Sequence, residues 1–165
     1  MIKPAALYKE VIKCKTKELY YTDDLMYYIG YIGTCGIDVG DEDPSGEYYN
    51  WAIVDGGKVV GYIAYHIDWY SGNADRFGFI AFEKKNPAIW SALLEVYKLL
   101  KSYNLYRIEF RCIADNPIMP KYVSLVKKLS GHFVILHGIF RDRYGKRHDE
   151  IIFEIPCGKS EEVTK

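Results

Sequence analysis

Two asparagine–proline pairs, Asn86-Pro87 and Asn116-Pro117, constrain this chain more than any other feature. Each supplies a side chain able to cap a helix start and a proline for the first helical position, where its missing N–H is no loss. After the first pair, Ile89, Leu93, Val96, Tyr97 and Leu100 recur at helical spacing, and the stripe predicts a helix ending near Tyr103. After the second, Ile118, Tyr122, Leu125, Val126 and Leu129 form another stripe, with Gly131 placed to end it. A short turn at Asn104 leads into YRIEFRCIA, 106–114, which reads as a strand, and RFGFIAFE, 76–83, reads as a strand before the first helix. Strand, helix, strand in that order implies a right-handed crossover joining two parallel strands.

The flanking segments complete a mixed α/β chain. WAIV at 51–54 and VVGYIAYHID at 59–68 flank Asp55-Gly56-Gly57 and predict a hairpin. HFVILHGIFR and HDEIIFEI predict a closing antiparallel pair around the polar turn from Asp142 to Arg147. Near the start, a helix over 4–14 would bury Leu7, Tyr8, Val11 and Ile12. A second would begin with Thr22 as N-cap and turn Leu25, Met26, Ile29 and Ile32 inward. The expected order is α-α-β-β-β-α-β-α-β-β around one central sheet. At 165 residues, one domain is expected, since domains run to about 100–200 residues. Its parts would be N-terminal helices over 1–36, a loop over 37–49, a sheet core over 50–156 and a tail over 157–165.

Composition narrows the partners. Basic and acidic residues both number 22, so the net charge is zero, and binding dominated by many phosphate contacts is not expected. Cys14, Cys35, Cys112 and Cys157 lie far apart with no zinc spacing, which reads as free thiols in a reducing compartment. The acidic loop DVGDEDPSGE, 38–47, lacks the order of a calcium loop and reads as a solvated linker, so no metal is expected. No 18 apolar residues run together, and the start lacks a signal-peptide core. A soluble, cytoplasmic protein is the expectation. Aromatic residues make up 16% of the chain, sixteen of them tyrosine, which suits half-buried packing and ligand clefts alike.

The order of elements, with its hairpin, crossover unit, second helix and closing pair, resembles the GCN5-related N-acetyltransferase (GNAT) fold over roughly residues 50–156. The tail GIFRDRYGKRHDEIIFEI resembles the GxxRD…G+xHD endings of the branch that acetylates ribosomal-protein N-termini. The resemblance implies acetyl-CoA as co-substrate, its pyrophosphate held at the start of the central helix by an R/Q-x-x-G-x-G/A loop. Here that segment is Lys85-Asn86-Pro87-Ala88-Ile89-Trp90: Lys85 matches the basic position, Ala88 the first glycine, and Trp90 stands where the second small residue is expected. Read from the residues alone, the same segment is an ordinary capped helix start with Trp90 in the core. The resemblance further implies that backbone groups of Ile80, Ala81 and Phe82 grip the pantetheine arm, and that Asn116 contacts the coenzyme. The plainer role of Asn116 is an N-cap.

Catalysis under this resemblance is direct attack of an amine on the thioester. The tyrosine many members use in the helix after the asparagine falls near Lys128 here. The candidate catalytic groups are therefore Glu83, at the end of its strand, and Tyr122, for which core packing is the plainer role. His66 and Asp68, which share a strand face, would polarise the acceptor, and Tyr27, Tyr28 and Tyr31 would shape its pocket. The expected activity is acyl-CoA-dependent N-acylation of a small-molecule or peptide amine. The alternative is a GNAT-like interaction module without coenzyme or catalysis. Binding of nucleic acid by exposed aromatics is disfavoured by the zero net charge and the lack of a basic–aromatic stripe.

Overall fold

The computed structural model of the chain describes residues 1–20, 22 and 46–158. In chain order it holds β1 (Ile2–Pro4), a 3₁₀ turn (Ala5–Tyr8), α1 (Lys9–Tyr20), β2 (Tyr48–Asp55), β3 (Lys58–Asp68) and β4 (Asn73–Ala81). Then come α2 (Pro87–Ser102), β5 (Arg107–Ile113), α3 (Met119–Lys128), β6 (His132–Arg141) and β7 (Arg147–Pro156). These strands form one sheet in the order β1-β2-β3-β4-β5-β7-β6. Only β4 and β5 pair in parallel, and α2 crosses between them as the sequence predicts.

Local chemistry explains the elements. Gly56 and Gly57, at φ +53° and +79°, form a two-residue turn between paired Asp55 and Lys58, whose twist suits the flanking strands. At α2 the Asn86 carboxamide oxygen accepts the Ala88 N–H at 2.9 Å and Pro87 takes the first helical position. Ile89, Ala92, Val96 and Leu100 are its buried side chains, while Leu93 and Tyr97 are half-buried.

Several expectations are corrected. The helix after Asn116 starts at Met119, and Pro120 rather than Pro117 is its early proline; Asn116 accepts the Ile118 N–H at 3.1 Å in the turn that precedes it. The left-handed residue after α3 is Ser130, at φ +57°, not Gly131. The N–H groups of Ser130 and Gly131 return to the Lys127 and Val126 carbonyls, the paired bonds of a Schellman end. The N-terminal helix runs over 9–20 rather than 4–14, because Ile2–Pro4 extends the sheet beside β2. Ile12 is its buried side chain, Ala5 is buried and Tyr8 half-buried in the 3₁₀ turn before it, and Leu7 and Val11 are exposed. β2 begins at Tyr48, inside the expected loop. The helix expected beyond Thr22, with Leu25, Met26, Ile29 and Ile32, lies outside the described residues. Thr22 itself donates its hydroxyl to the Leu19 carbonyl at 2.8 Å.

The layers follow from the apolar faces. α2 lies over β2 and β3, and α3 over β7, on one face of the sheet. Ile12 of α1 covers the other face with Tyr62, Ala64 and Ile80. Among the described residues no helix is long and apolar enough to cross a membrane.

Candidate active site

The site begins with an irregularity in β4. Arg76 and Phe77 stand together opposite Tyr65 of β3, between the pairs His66–Asp75 and Ala64–Gly78. Arg76 sits at φ +49°, and its guanidinium donates to the Tyr48 hydroxyl at 2.7 Å. A bulge of this kind bends its strand and raises the local twist. On its other edge β4 pairs with β5 at Asn73–Arg107, Ala74–Ile108 and Phe77–Phe110, and no pair follows. The two parallel strands therefore part toward their C-terminal ends.

Backbone groups face this gap. The Phe82 N–H donates to the Val60 carbonyl, which makes Gly61–Ala81 a non-hydrogen-bonded pair of the β3–β4 ladder. Such residues point their N–H and C=O to the opposite edge, so Ala81 and Phe79 present theirs toward β5.

Above the gap, between α2 and α3, lies a cleft of about 680 Å³. Its floor includes Phe79, Ala81, Phe110 and Cys112, and Tyr122 enters from α3. Tyr122 is buried edge-on against Phe79, Phe110 and Phe153. The charged residues that border the cleft, Lys84, Lys85, Lys121 and Arg111, are all basic, and of these the Arg111 guanidinium turns to the other face of the sheet. Burial pushes the Cys112 thiol up to about 12, against the lowering effect of its hydrogen bond with Asn116, so the thiol stays protonated.

The start of α2 differs from an open phosphate cradle. Pro87 has no N–H, Ala88 gives its N–H to the Asn86 side chain, and Ile89 gives its own to the Asn86 carbonyl. The Asn86 amide in turn donates to Asp55 and Glu83. Positive charge at this end of the cleft comes from the Lys84, Lys85 and Lys121 side chains, with the positive end of the helix behind them. An anionic ligand with an amide-bearing arm fits this lining: cations at the mouth, open strand amides at the gap and apolar walls below.

The sequence-derived candidates divide by position. Lys85, Asn86, Ile89, Trp90, Asn116, Ala81 and Tyr122 all line the cleft. Trp90 is 37% exposed, which corrects its placement in the core. Ala88 is half-buried behind the rim. Ile80 points into the α1 face of the core, and Phe82 packs at its margin beneath Lys15. Glu83 is exposed and held by Asn86 on the rim. His66 bonds Asp75 at 2.7 Å and leans on Tyr48, and Asp68 holds the β3–β4 turn through Tyr70 and Ser71; neither lines the cleft. Tyr27, Tyr28 and Tyr31 lie outside the described residues.

Three cations were not singled out in sequence. Lys84 is the neighbour of Lys85, but Arg111 and Lys121 come from β5 and α3 and join it only through the fold. On the face of β5 away from the helices, Glu109 contacts Arg107 and Arg111, and Glu150 of β7 contacts Arg111 at 3.8 Å. Alternation in Arg107-Ile108-Glu109-Phe110-Arg111 was the available signal for this polar face.

The tail pattern is used structurally. Asp142 accepts the Tyr144 and Lys146 N–H groups, Arg141 donates to the Gly145 carbonyl, and Asp149 holds His137 and the Gly138 N–H. His148, 1% exposed at its side chain, bridges Asp115 and Asp142.

No protein-family model matches the chain, and no curated protein matches its sequence. Solved structures do. The microcin C7 self-immunity acetyltransferase MccE, in complex with acetyl-CoA and AMP, superposes with a TM-score of 0.65 at 15% identity, covering 93% of this chain and 89% of that one. The protein smu.2055 from Streptococcus mutans UA159 gives 0.64 at 17% identity, over 95% and 99%. The ribosomal-protein-S18-alanine N-acetyltransferase from Escherichia coli gives 0.58 at 19% identity, over 73% and 76%. At such identities the likeness speaks for architecture rather than activity: the chain has the fold of the GCN5-related N-acetyltransferases.

Proposed function

We propose that the protein is an acyl-CoA-dependent N-acyltransferase that passes an acyl group directly to an amine. The observation that carries this reading is the cleft over the parted strands β4 and β5, whose charged lining is entirely cationic in a chain of zero net charge. Acetyltransferase structures among its neighbours, one of them holding acetyl-CoA, support it.

Under this reading Lys84, Lys85 and Lys121 hold the phosphates, and the Phe79 and Ala81 backbone groups hold the pantetheine amides. Asn116 contributes its carboxamide once it releases the Ile118 N–H. Acyl-CoA supplies an acyl thioester, whose carbonyl carbon forms the new C–N bond as its C–S bond breaks. Two protons must move: one leaves the amine and one reaches the departing sulfur. Tyr122, whose ring lines the cleft, is the hydroxyl suited to the second transfer. For the first, Glu109 and Glu150 are carboxylates paired with Arg111 on the other face of β5, across the strand gap from the cleft. Glu83, bound to Asn86, is less suited to this role. The acceptor is a small-molecule or peptide amine.

Calorimetric titration with acetyl-CoA, with dephospho-CoA and ATP as controls, tests this. Selective binding at micromolar affinity is expected. Folded protein that releases no heat with any of them overturns the transferase reading. It would favour an interaction module, for which the internally satisfied amides at the start of α2 are the supporting observation.

A further inference from the structure

α2 packs on the sheet without help from its tryptophan. Its buried stripe is Ile89, Ala92, Val96 and Leu100, and Trp90 lies outside it. Trp90 is 37% exposed and Leu94, four residues on, is 41% exposed, yet both line the cleft. Residues four apart share one helix face, so the two form an apolar shelf along the cleft side of α2, open to water. The other rings of the cleft are committed elsewhere. Tyr122 is buried edge-on against Phe79 and Phe110, and Phe77 stacks on Tyr65. Of the described aromatic residues that line the cleft, only Trp90 is exposed.

The surroundings of the shelf select what can lie on it. Lys84 and Lys85 come from the connection just before α2, Lys121 lines the same cleft from α3, and all three are exposed. No carboxylate is among the described residues that line the cleft. Trp90 stands three residues beyond Pro87, about 5 Å along the axis at the helical rise. A shelf that near to the lysines is within the span of one nucleotide. A flat base on an indole, with its phosphates on neighbouring cations, is a recurrent way of holding nucleotides, because every base offers a π-face.

We propose, resting on the acyl-CoA reading above, that Trp90 is the base-binding residue of the cleft. The adenine ring of the donor stacks on its indole beside Leu94, and the lysines hold the adjoining phosphates. The Ala88 and Ile89 amides are already bonded to Asn86, so the start of α2 grips the nucleotide end through side chains instead. Trp90 binds the end of the donor remote from the thioester and takes no part in the chemistry.

The test compares the unsubstituted protein with Trp90→Phe, which keeps an aromatic face, and Trp90→Leu, which keeps only apolar bulk. Thermal denaturation first checks that all three are folded. In calorimetric titration with acetyl-CoA, Trp90→Leu should bind about tenfold more weakly, and Trp90→Phe should stay within about threefold of the unsubstituted protein. Acetyl-4′-phosphopantetheine, which lacks the adenosine end, should bind more weakly than acetyl-CoA to the unsubstituted protein. Saturating acetyl-CoA should also quench indole emission in the unsubstituted protein and not in Trp90→Phe. The remaining tryptophans do not line the cleft: Trp51 donates to Tyr65 and Trp69 to the Gly46 carbonyl. Undiminished binding by Trp90→Leu, or equal losses in both variants, overturns the inference and leaves the acyl-CoA reading standing. So does a truncated donor that binds as tightly as acetyl-CoA, or emission that acetyl-CoA leaves unchanged while it binds. Failure of acetyl-CoA to bind the unsubstituted protein overturns both.

Discussion

His148 shows how one residue can organise a chain end. Its Nδ1 lies 2.7 Å from an Asp115 carboxylate oxygen and its Nε2 2.9 Å from one of Asp142. A neutral imidazole donates from only one nitrogen, so two carboxylate partners call for the protonated ring. The bonds to Asp142 and then Asp115 accordingly raise the His148 pKa, and the same contact lowers that of Asp142. Because the folded value lies above the unfolded one of about 6.5, the contribution to stability is complete below that pH and is lost as pH rises through the raised value. The thermal midpoint should therefore decline as the pH is raised above the ordinary histidine value of about 6.5. A His148→Gln variant, measured by calorimetry over the same rise in pH, should lack that decline and melt lower at the acidic end. A flat profile in the unsubstituted protein would show that the ring is not charged in the fold.

At the scale of elements, what was legible in sequence tracks where the cause is local. The Gly56-Gly57 turn and the Asn86-Pro87 start depend on residues adjacent in the chain, and both form as read. β1 was missed because three residues with a terminal proline carry no pattern of their own; pairing with β2 creates the strand. Of the stripe read for the first helix, Tyr8 and Ile12 turn to the core as expected, while Leu7 and Val11 fit the same spacing but are exposed, because only the opposing sheet chooses between them. Gly131 is a subtler case, since sequence marks it as a helix stop while Ser130 takes the left-handed conformation. A Cβ at Gly131 would sit 2.3 Å from the Glu154 carbonyl oxygen of β7. That atom is backbone inside a ladder and cannot swing away, so glycine is needed for the approach of the α3 end to the sheet. Gly131→Ala should destabilise by about 1–3 kcal/mol, as overpacking does. The midpoint should fall by about 2–4 °C for each kcal/mol in a chain of this size. An unchanged midpoint in thermal denaturation would contradict the close approach.

For the molecule as a whole, the formal charge of zero conceals a separation that decides what can bind. The lysines of the cleft reach it from the β4–α2 connection and from α3, segments that no window of sequence joins. Glu109, Glu150 and Glu154 collect on the other face of the sheet, where they pair with Arg107, Arg111 and His132. Composition argued correctly that the surface is not uniformly basic, but it could not show that one cleft would be. The segment 85–90 was legible as a helix start, yet its chemistry was not, because the loss of free amides depends on where the Asn86 side chain turns. If side-chain charge replaces those amides, binding should respond to charge and to salt more than to the helix start. Lys85→Glu places an anion at the mouth and should weaken acetyl-CoA binding roughly tenfold, since a unit charge near a protein surface acts with about 1–4 kcal/mol at contact. The unsubstituted protein should lose affinity as ionic strength rises past the range where exposed charges are screened, and the variant should lose less. Equal salt slopes for the two proteins, read from the same titrations, would move the phosphate site away from Lys85.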